Sequence, residues 1–148
     1  MISNKPKIIE GGSHIDDRGI MGFINDISFF DFKRMYTIEN FENKFIRAWH
    51  GHKFEKKIIF CVSGTFKIGA VKIDDFTKPS KIEKPYEFII SSVKPTLLFI
   101  PEGFANGLMN LESNSKLIIF SNKTLDESSK DDYRIDSNYW NIWEVHNR

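Results

Sequence analysis

Lys57-Ile58-Ile59-Phe60-Cys61-Val62-Ser63-Gly64-Thr65-Phe66-Lys67-Ile68-Gly69-Ala70-Val71-Lys72-Ile73 is the stretch whose patterning decides the fold. Residues 57–62 are an apolar run of strand-forming side chains, closed by the turn pair Ser63-Gly64. Residues 65–73 extend again and stop at Asp74-Asp75. Short extended segments continue in both directions. Downstream, residues 78–84 are a polar connection, 87–91 a strand, and 97–100 a strand running into the turn Pro101-Glu102-Gly103. Residues 108–111 and 116–120 are expected to pair as a hairpin around Glu112-Ser113-Asn114-Ser115. Upstream, residues 19–24 follow a turn at Asp16-Asp17-Arg18-Gly19, and 32–38 and 45–52 extend. In residues 32–38, Arg34, Tyr36 and Ile38 share one parity.

The tail differs. Residues 125–132 are charged and fit a turn or short helix, and Tyr139, Trp140, Ile142 and Trp143 form an aromatic cluster. Eight or more short strands with polar turns predict an all-β sandwich or barrel. Neither a dinucleotide fold nor a P-loop is expected, because no Gly-rich strand-to-helix element occurs.

The chain has 148 residues, enough for one domain (1–148) with one sizeable core. Hydrophobic residues make up 41% and charged residues 28%, a soluble, globular balance. Phe occurs 14 times, and each copy buries a large apolar area. A net charge of +1 gives no reason to expect nucleic acid as a partner, though a few arginines can still build a local anion site. Cys61 is the single cysteine, so no disulfide framework or cysteine-rich metal site forms within the chain; its apolar run predicts a buried thiol. No apolar run approaches 18 residues and none follows the N-terminus, so neither a membrane span nor a signal peptide is expected, and a cytoplasmic protein is.

Just upstream of the opening stretch stands Arg47-Ala48-Trp49-His50-Gly51-His52-Lys53. On a strand, His50 and His52 point the same way, about 6–7 Å apart. Two such imidazoles can ligate a metal, move protons, or be polar surface. A metal-binding cupin adds a nearby glutamate and a third histidine. Here Glu55 comes early, Lys56 and Lys57 fill the acidic places, and Asn106 fills the third-histidine place. That set suits Zn, Fe or Mn poorly, so no metal is expected. Imidazole can instead remove a proton beside a ketone, and Arg47 can hold phosphate or an oxyanion. Trp49 should face away from His50 and pack.

Three motifs, in order and spacing, resemble a known group. Asp17-Arg18-Gly19 resembles a D-x-R-G element, residues 47–53 resemble R-G-x-H-x-H-K, and Pro101-Glu102-Gly103-Phe104-Ala105-Asn106-Gly107 resembles P-x-G-F-A-H-G. The chain, from about Asp17 to Asp136, is similar to the RmlC-like cupins of sugar-nucleotide metabolism. These include the dTDP-4-keto-6-deoxyglucose 3,4-ketoisomerases and the dTDP-4-dehydrorhamnose 3,5-epimerases.

The resemblance implies a double-stranded β-helix (jelly roll), a homodimer, and work in nucleotide-sugar biosynthesis of the kind that serves lipopolysaccharide. It implies a nucleotide-diphosphate sugar as substrate and no organic cofactor. Carried over residue by residue, His50 becomes the base, and His52 and Tyr36 line the catalytic pocket. Arg18, often supplied by the neighbouring subunit in such dimers, and Arg47 take the nucleotide-diphosphate end. Lys53, Phe104 and Asn106 are expected among the substrate-binding residues. Two positions depart from the pattern. Ala48 replaces a motif glycine, and Leu125 stands where the epimerases carry a catalytic tyrosine. His52 and Leu125 favour 3,4-ketoisomerisation of a dTDP-sugar; an epimerase of a dTDP-, UDP- or GDP-linked 4-keto-sugar, or a non-catalytic sugar-nucleotide-binding cupin, are the alternatives.

Overall fold

The computed structural model describes residues 3–145. Its elements, in chain order, are β1 Lys7–Glu10, β2 Gly12–Asp16, β3 Gly19–Phe23, β4 Arg34–Glu39, β5 Ile46–His52, β6 Lys57–Ser63, β7 Thr65–Lys72, β8 Tyr86–Ser91, β9 Thr96–Ile100, β10 Phe104–Asn110, β11 Lys116–Ser121, α1 Leu125–Ser129 and β12 Tyr133–Arg134. Two five-stranded sheets, ordered β1-β9-β6-β11-β4 and β12-β5-β10-β7-β8, carry the fold, and β2–β3 stands apart as a hairpin. Every pairing is antiparallel. The architecture is the expected jelly roll.

From β5 to β7 and from β8 to β11 the chain alternates between sheets. The turn at Ser63-Gly64 is therefore a corner that hands the chain across, not a hairpin. Gly64 sits at φ +72°, and a Cβ there would collide with the Ser115 side chain, so a glycine is required. The expected 108–111/116–120 hairpin is corrected in the same way. β10 pairs with β5 and β7, whereas β11 pairs with β4 and β6. Both segments are strands, but each one's inward side chains face the other sheet.

Between the sheets lies a core that includes Ile59, Cys61, Ile68, Leu98, Leu117 and Ile119. Cys61 is buried as expected; its Sγ lies 3.3 Å from both the Ser63 and the Gly64 carbonyl oxygens, and burial pushes the thiol up to about 11. A second cluster coats the outer face of the β5–β10–β7 sheet: Trp49, Val71, Ala105 and Met109, with Trp140 and Trp143 from the tail. Trp49 thus packs away from His50, as its parity predicts. The tail begins with α1, whose capping box joins Thr124 and Glu127. Among the described residues no helix is long and apolar enough to cross a membrane.

Candidate active site

The site is built on β5, and a bulge makes it. Asn106 pairs with His50 and Leu108 with Arg47, so two positions of β10 span three of β5. The extra residue lies at Ala48–Trp49, opposite Gly107. Strict alternation would send Arg47 and His50 to opposite faces. The bulge returns both to the inner face and lets both line one pocket. Gly107 is the price of that geometry: a Cβ there would stand 2.6 Å from the Ala48 Cβ and 2.8 Å from Trp143. Ala48, in place of the motif glycine, packs into this outer layer.

Registers place Arg134, His50, Asn106 and Ala70 in one row across the sheet. Paired residues share a face, so the row points inward. The pocket has a volume of about 310 Å³. Its walls include Tyr36, Arg47, His50, His52, Lys57 and Asn106, and α1 and the tail add Leu125, Ser128, Asp132 and Arg134.

His50 is partly exposed, with Nδ1 3.9 Å from Asp132 Oδ1. Burial lowers its pKa to about 4, helped by the Arg134 and Lys57 charges, while Asp132 opposes the shift. The imidazole is therefore neutral at pH 7 and has a lone pair free for a proton. Tyr36 lies with its ring 4.8 Å from the Arg34 guanidinium. Burial first, then the Glu55 charge, raise its hydroxyl far above the usual tyrosine range.

His52 is buried and held at both nitrogens. Nδ1 donates to the Asp131 carbonyl at 2.6 Å and lies 3.0 Å from Glu55 Oε2. Nε2 then accepts from Lys57 Nζ at 3.1 Å. Lys57 Nζ also donates to Asn106 Oδ1 at 3.2 Å. Lys57 Nζ thus occupies the space between His52 and Asn106. Two of the atoms a cupin metal would need, His52 Nε2 and Asn106 Oδ1, already serve as hydrogen-bond acceptors. Among the described residues no group of three or more His, Cys, Asp or Glu could hold a metal. Asp131 also caps the bend after β5, accepting from the backbone N–H groups of Lys53, Phe54 and Glu55.

The pocket gathers Tyr36, Arg47, His50, His52 and Asn106 among the expected residues. Three others lie elsewhere. Lys53 follows inward His52, so alternation turns it outward, where its Nζ sits over Phe76 and Tyr133. Phe104 pairs with His52 but is buried in the core. Arg18 lies at the β2–β3 turn, its side chain 84% exposed and paired with Asp16. Lys57, Glu55, Asp132 and Arg134 are pocket or near-pocket residues that sequence reasoning missed. In the sequence, Lys57 and Glu55 stand only against a metal-ligand pattern that they do not fit. The alternation of residues 57–62 is a signal that could have placed Lys57 inward with Ile59 and Cys61.

Fold and site together define an RmlC-like cupin. The chain belongs to the family described as "FdtA: WxcM-like, C-terminal", whose model matches residues 4–143. Among solved structures it is similar to a doubly substituted QdtA 3,4-ketoisomerase from Thermoanaerobacterium thermosaccharolyticum in complex with TDP. That likeness has 25% identity and a TM-score of 0.66, and it covers 94% of each chain. It is also similar to the dTDP-4-dehydrorhamnose 3,5-epimerase from Elizabethkingia anophelis, at 18% identity and a TM-score of 0.76, over 97% of this chain and 83% of that one. A third likeness is the WlaRB TDP-quinovose 3,4-ketoisomerase from Campylobacter jejuni, at 19% identity and a TM-score of 0.65, over 93% and 98%. No curated protein matches the chain significantly.

Proposed function

We propose that the chain is an isomerase of a nucleotide-linked 4-keto-6-deoxy-sugar, and that it carries out 3,4-ketoisomerisation of a dTDP-sugar. The observation that carries this reading is His50, held neutral by burial, in the same pocket as Lys57, whose Nζ lies between His52 and Asn106. His50 takes the proton from C3, and the C–H electron pair moves toward the C4 carbonyl oxygen. Lys57 stabilises the resulting enediolate, as a preplaced cation does for any developing oxyanion. A proton returns to C4, and the hydroxyl proton passes from O3 to O4, which leaves the ketone at C3. The substrate ketone supplies the acidity, so the reading needs no organic cofactor. His52 acts through Lys57, because its Nδ1 is held by Asp131, its Nε2 by Lys57, and none of the hydrogen bonds among the described residues joins it to His50.

Arg47 and the mostly exposed Arg134 border the same pocket and suit a diphosphate. Arg18 is exposed at the tip of its hairpin and paired there with Asp16. The β2–β3 hairpin around it presents Ile15, Ile20, Met21 and Phe23 to solvent. In a homodimer these apolar side chains are covered and Arg18 reaches the second copy's nucleotide. Sedimentation at micromolar concentration checks this: a dimer is expected, and a stable monomer contradicts it.

The test of the reaction is incubation with dTDP-4-keto-6-deoxyglucose in deuterated water, followed by NMR of the product. A 3-keto product carrying deuterium at C4 supports the ketoisomerase. Deuterium at C3 or C5 with the ketone still at C4 means an epimerase. Tight binding without exchange means a sugar-nucleotide-binding cupin.

A further inference from the structure

Behind Lys57 lies a carboxylate that cannot touch substrate. The Glu55 side chain has no solvent exposure. It accepts from Ser121 Oγ, from Ser128 Oγ at 3.2 Å and from Arg34 at 3.3 Å, and it stands 3.9 Å from Lys57 Nζ. It also stands 3.0 Å from His52 Nδ1. Ser121 comes from β11, Ser128 from α1, Arg34 from β4 and His52 from β5, so four elements converge on one carboxyl group. A network that fixes a buried carboxylate so fully fixes its charge as well.

We propose that Glu55 is a positioning residue, whose carboxylate supports the charged form of Lys57 from behind and stands beside the His52 Nδ1–H that Asp131 accepts. The kinetic part of this proposal rests on the proton-abstraction reading above. The charge part stands without it.

Burial pushes the Lys57 ammonium toward its neutral form, and Glu55 is the chief group that opposes this. Arg34 and Arg134 push the same way as burial, while Asp132 works with Glu55. Arg47, His50, His52 and Tyr36 are the other titratable groups on the pocket wall. Glu55 is itself held below the usual carboxylate range: burial works to raise it, but Lys57, His52 and the two serine hydroxyls prevail. Without Glu55, the Lys57 amine therefore loses its proton at a lower pH. A neutral amine is a weaker stabiliser of an enediolate.

The experiment is an NMR titration of the free protein labelled with ¹³Cε-lysine, with Lys57 assigned by its loss in Lys57→Met. In Glu55→Gln the Lys57 midpoint is expected to fall by about one unit or more relative to the parent. An unchanged midpoint overturns the proposal, whatever the enzyme turns over. On a turned-over substrate, Lys57→Met should cost about 10²–10³ in kcat. Glu55→Gln should lower kcat with little change in KM and move the alkaline limb of the kcat profile to lower pH. The double variant Glu55→Gln/Lys57→Met should be no slower than Lys57→Met alone; additive losses contradict the proposal. If Glu55→Gln does not fold but the double variant does, neutralisation of Lys57 is supported directly. If Lys57→Met folds while both variants lacking Glu55 fail, Glu55 serves Arg34 and Ser128 instead, and the proposal is wrong.

Discussion

The two faces of β5 are made from adjacent residues and do opposite work. Inward, His50 and His52 meet Asn106, Lys57 and Asp132 around a polar pocket. Outward, Trp49 is fully buried under Trp140 and Trp143, with ring centroids 5.6 and 5.2 Å away. The outer face buys rigidity and the inner face uses it. The tryptophan layer clamps the bulge, and the bulge alone brings Arg47 and His50 to one side. A pocket lined by a buried lysine and other polar groups is costly in isolation, so the packing that holds it must come from elsewhere.

Breaking the outer face should give the largest stability effect. Trp49→Ala is expected to cost about 3–5 kcal/mol, read by denaturant unfolding, since it empties a buried aromatic site. Next is Gly107→Ala. Its new methyl would crowd Ala48 and Trp143, so about 1–3 kcal/mol of destabilisation is expected, with loss of activity as the bulge shifts. Gly51→Ala sharpens the contrast on the same face. Its nearest neighbours would be Phe76 and Tyr133 at 3.5 Å, an ordinary contact, so stability should be unchanged or rise by up to about 1 kcal/mol. Lys53→Ala removes only the contact with two rings and should cost about 0.5–1 kcal/mol, with turnover retained.

The inner face has its own signature in pH. His50 falls from its ordinary 6.5 to about 4 in the folded protein. The unfolded chain therefore binds more protons between those values, so His50's contribution to stability is present above pH 6.5 and is lost as pH falls toward 4. The acid limb of kcat/KM should likewise lie near pH 4 to 5 rather than 6.5, read as initial rates across buffers.

Much of this was legible in the chain. The shared parity of Arg34, Tyr36 and Ile38 is the less exposed face of β4, and the apolar run at 57–62 is a strand at the middle of its sheet. Trp49 and His50 were rightly sent to opposite faces by parity. What escaped were features set by contacts between distant segments. β1 is four residues long and β2 is largely exposed on both faces, so neither carries an alternation, whereas β3 agrees with the strand expected at residues 19–24 after its turn. The sheet partners of β10 and β11 depend on corners at Gly64 and at residues 111–115, which read like hairpin turns. Lys53 and Phe104 are expected at the site on motif likeness, whereas alternation alone turns Lys53 outward. Glu55 and Lys57 were read against a metal-binding pattern and so were seen as absences. Their pairing needs Ser121, Ser128 and Arg34, none of them near in sequence.

The central claim is that His50 is the base, and one comparison tests it most directly. Parent and His50→Asn proteins, each shown to be folded and to bind dTDP, are given the keto-sugar nucleotide that the parent turns over, in deuterated water. Carbon-bound deuterium is followed with time. The account predicts that incorporation and turnover fall together by about 10²–10⁴ in the variant while dTDP affinity is retained. Incorporation at the parental rate in His50→Asn would contradict it.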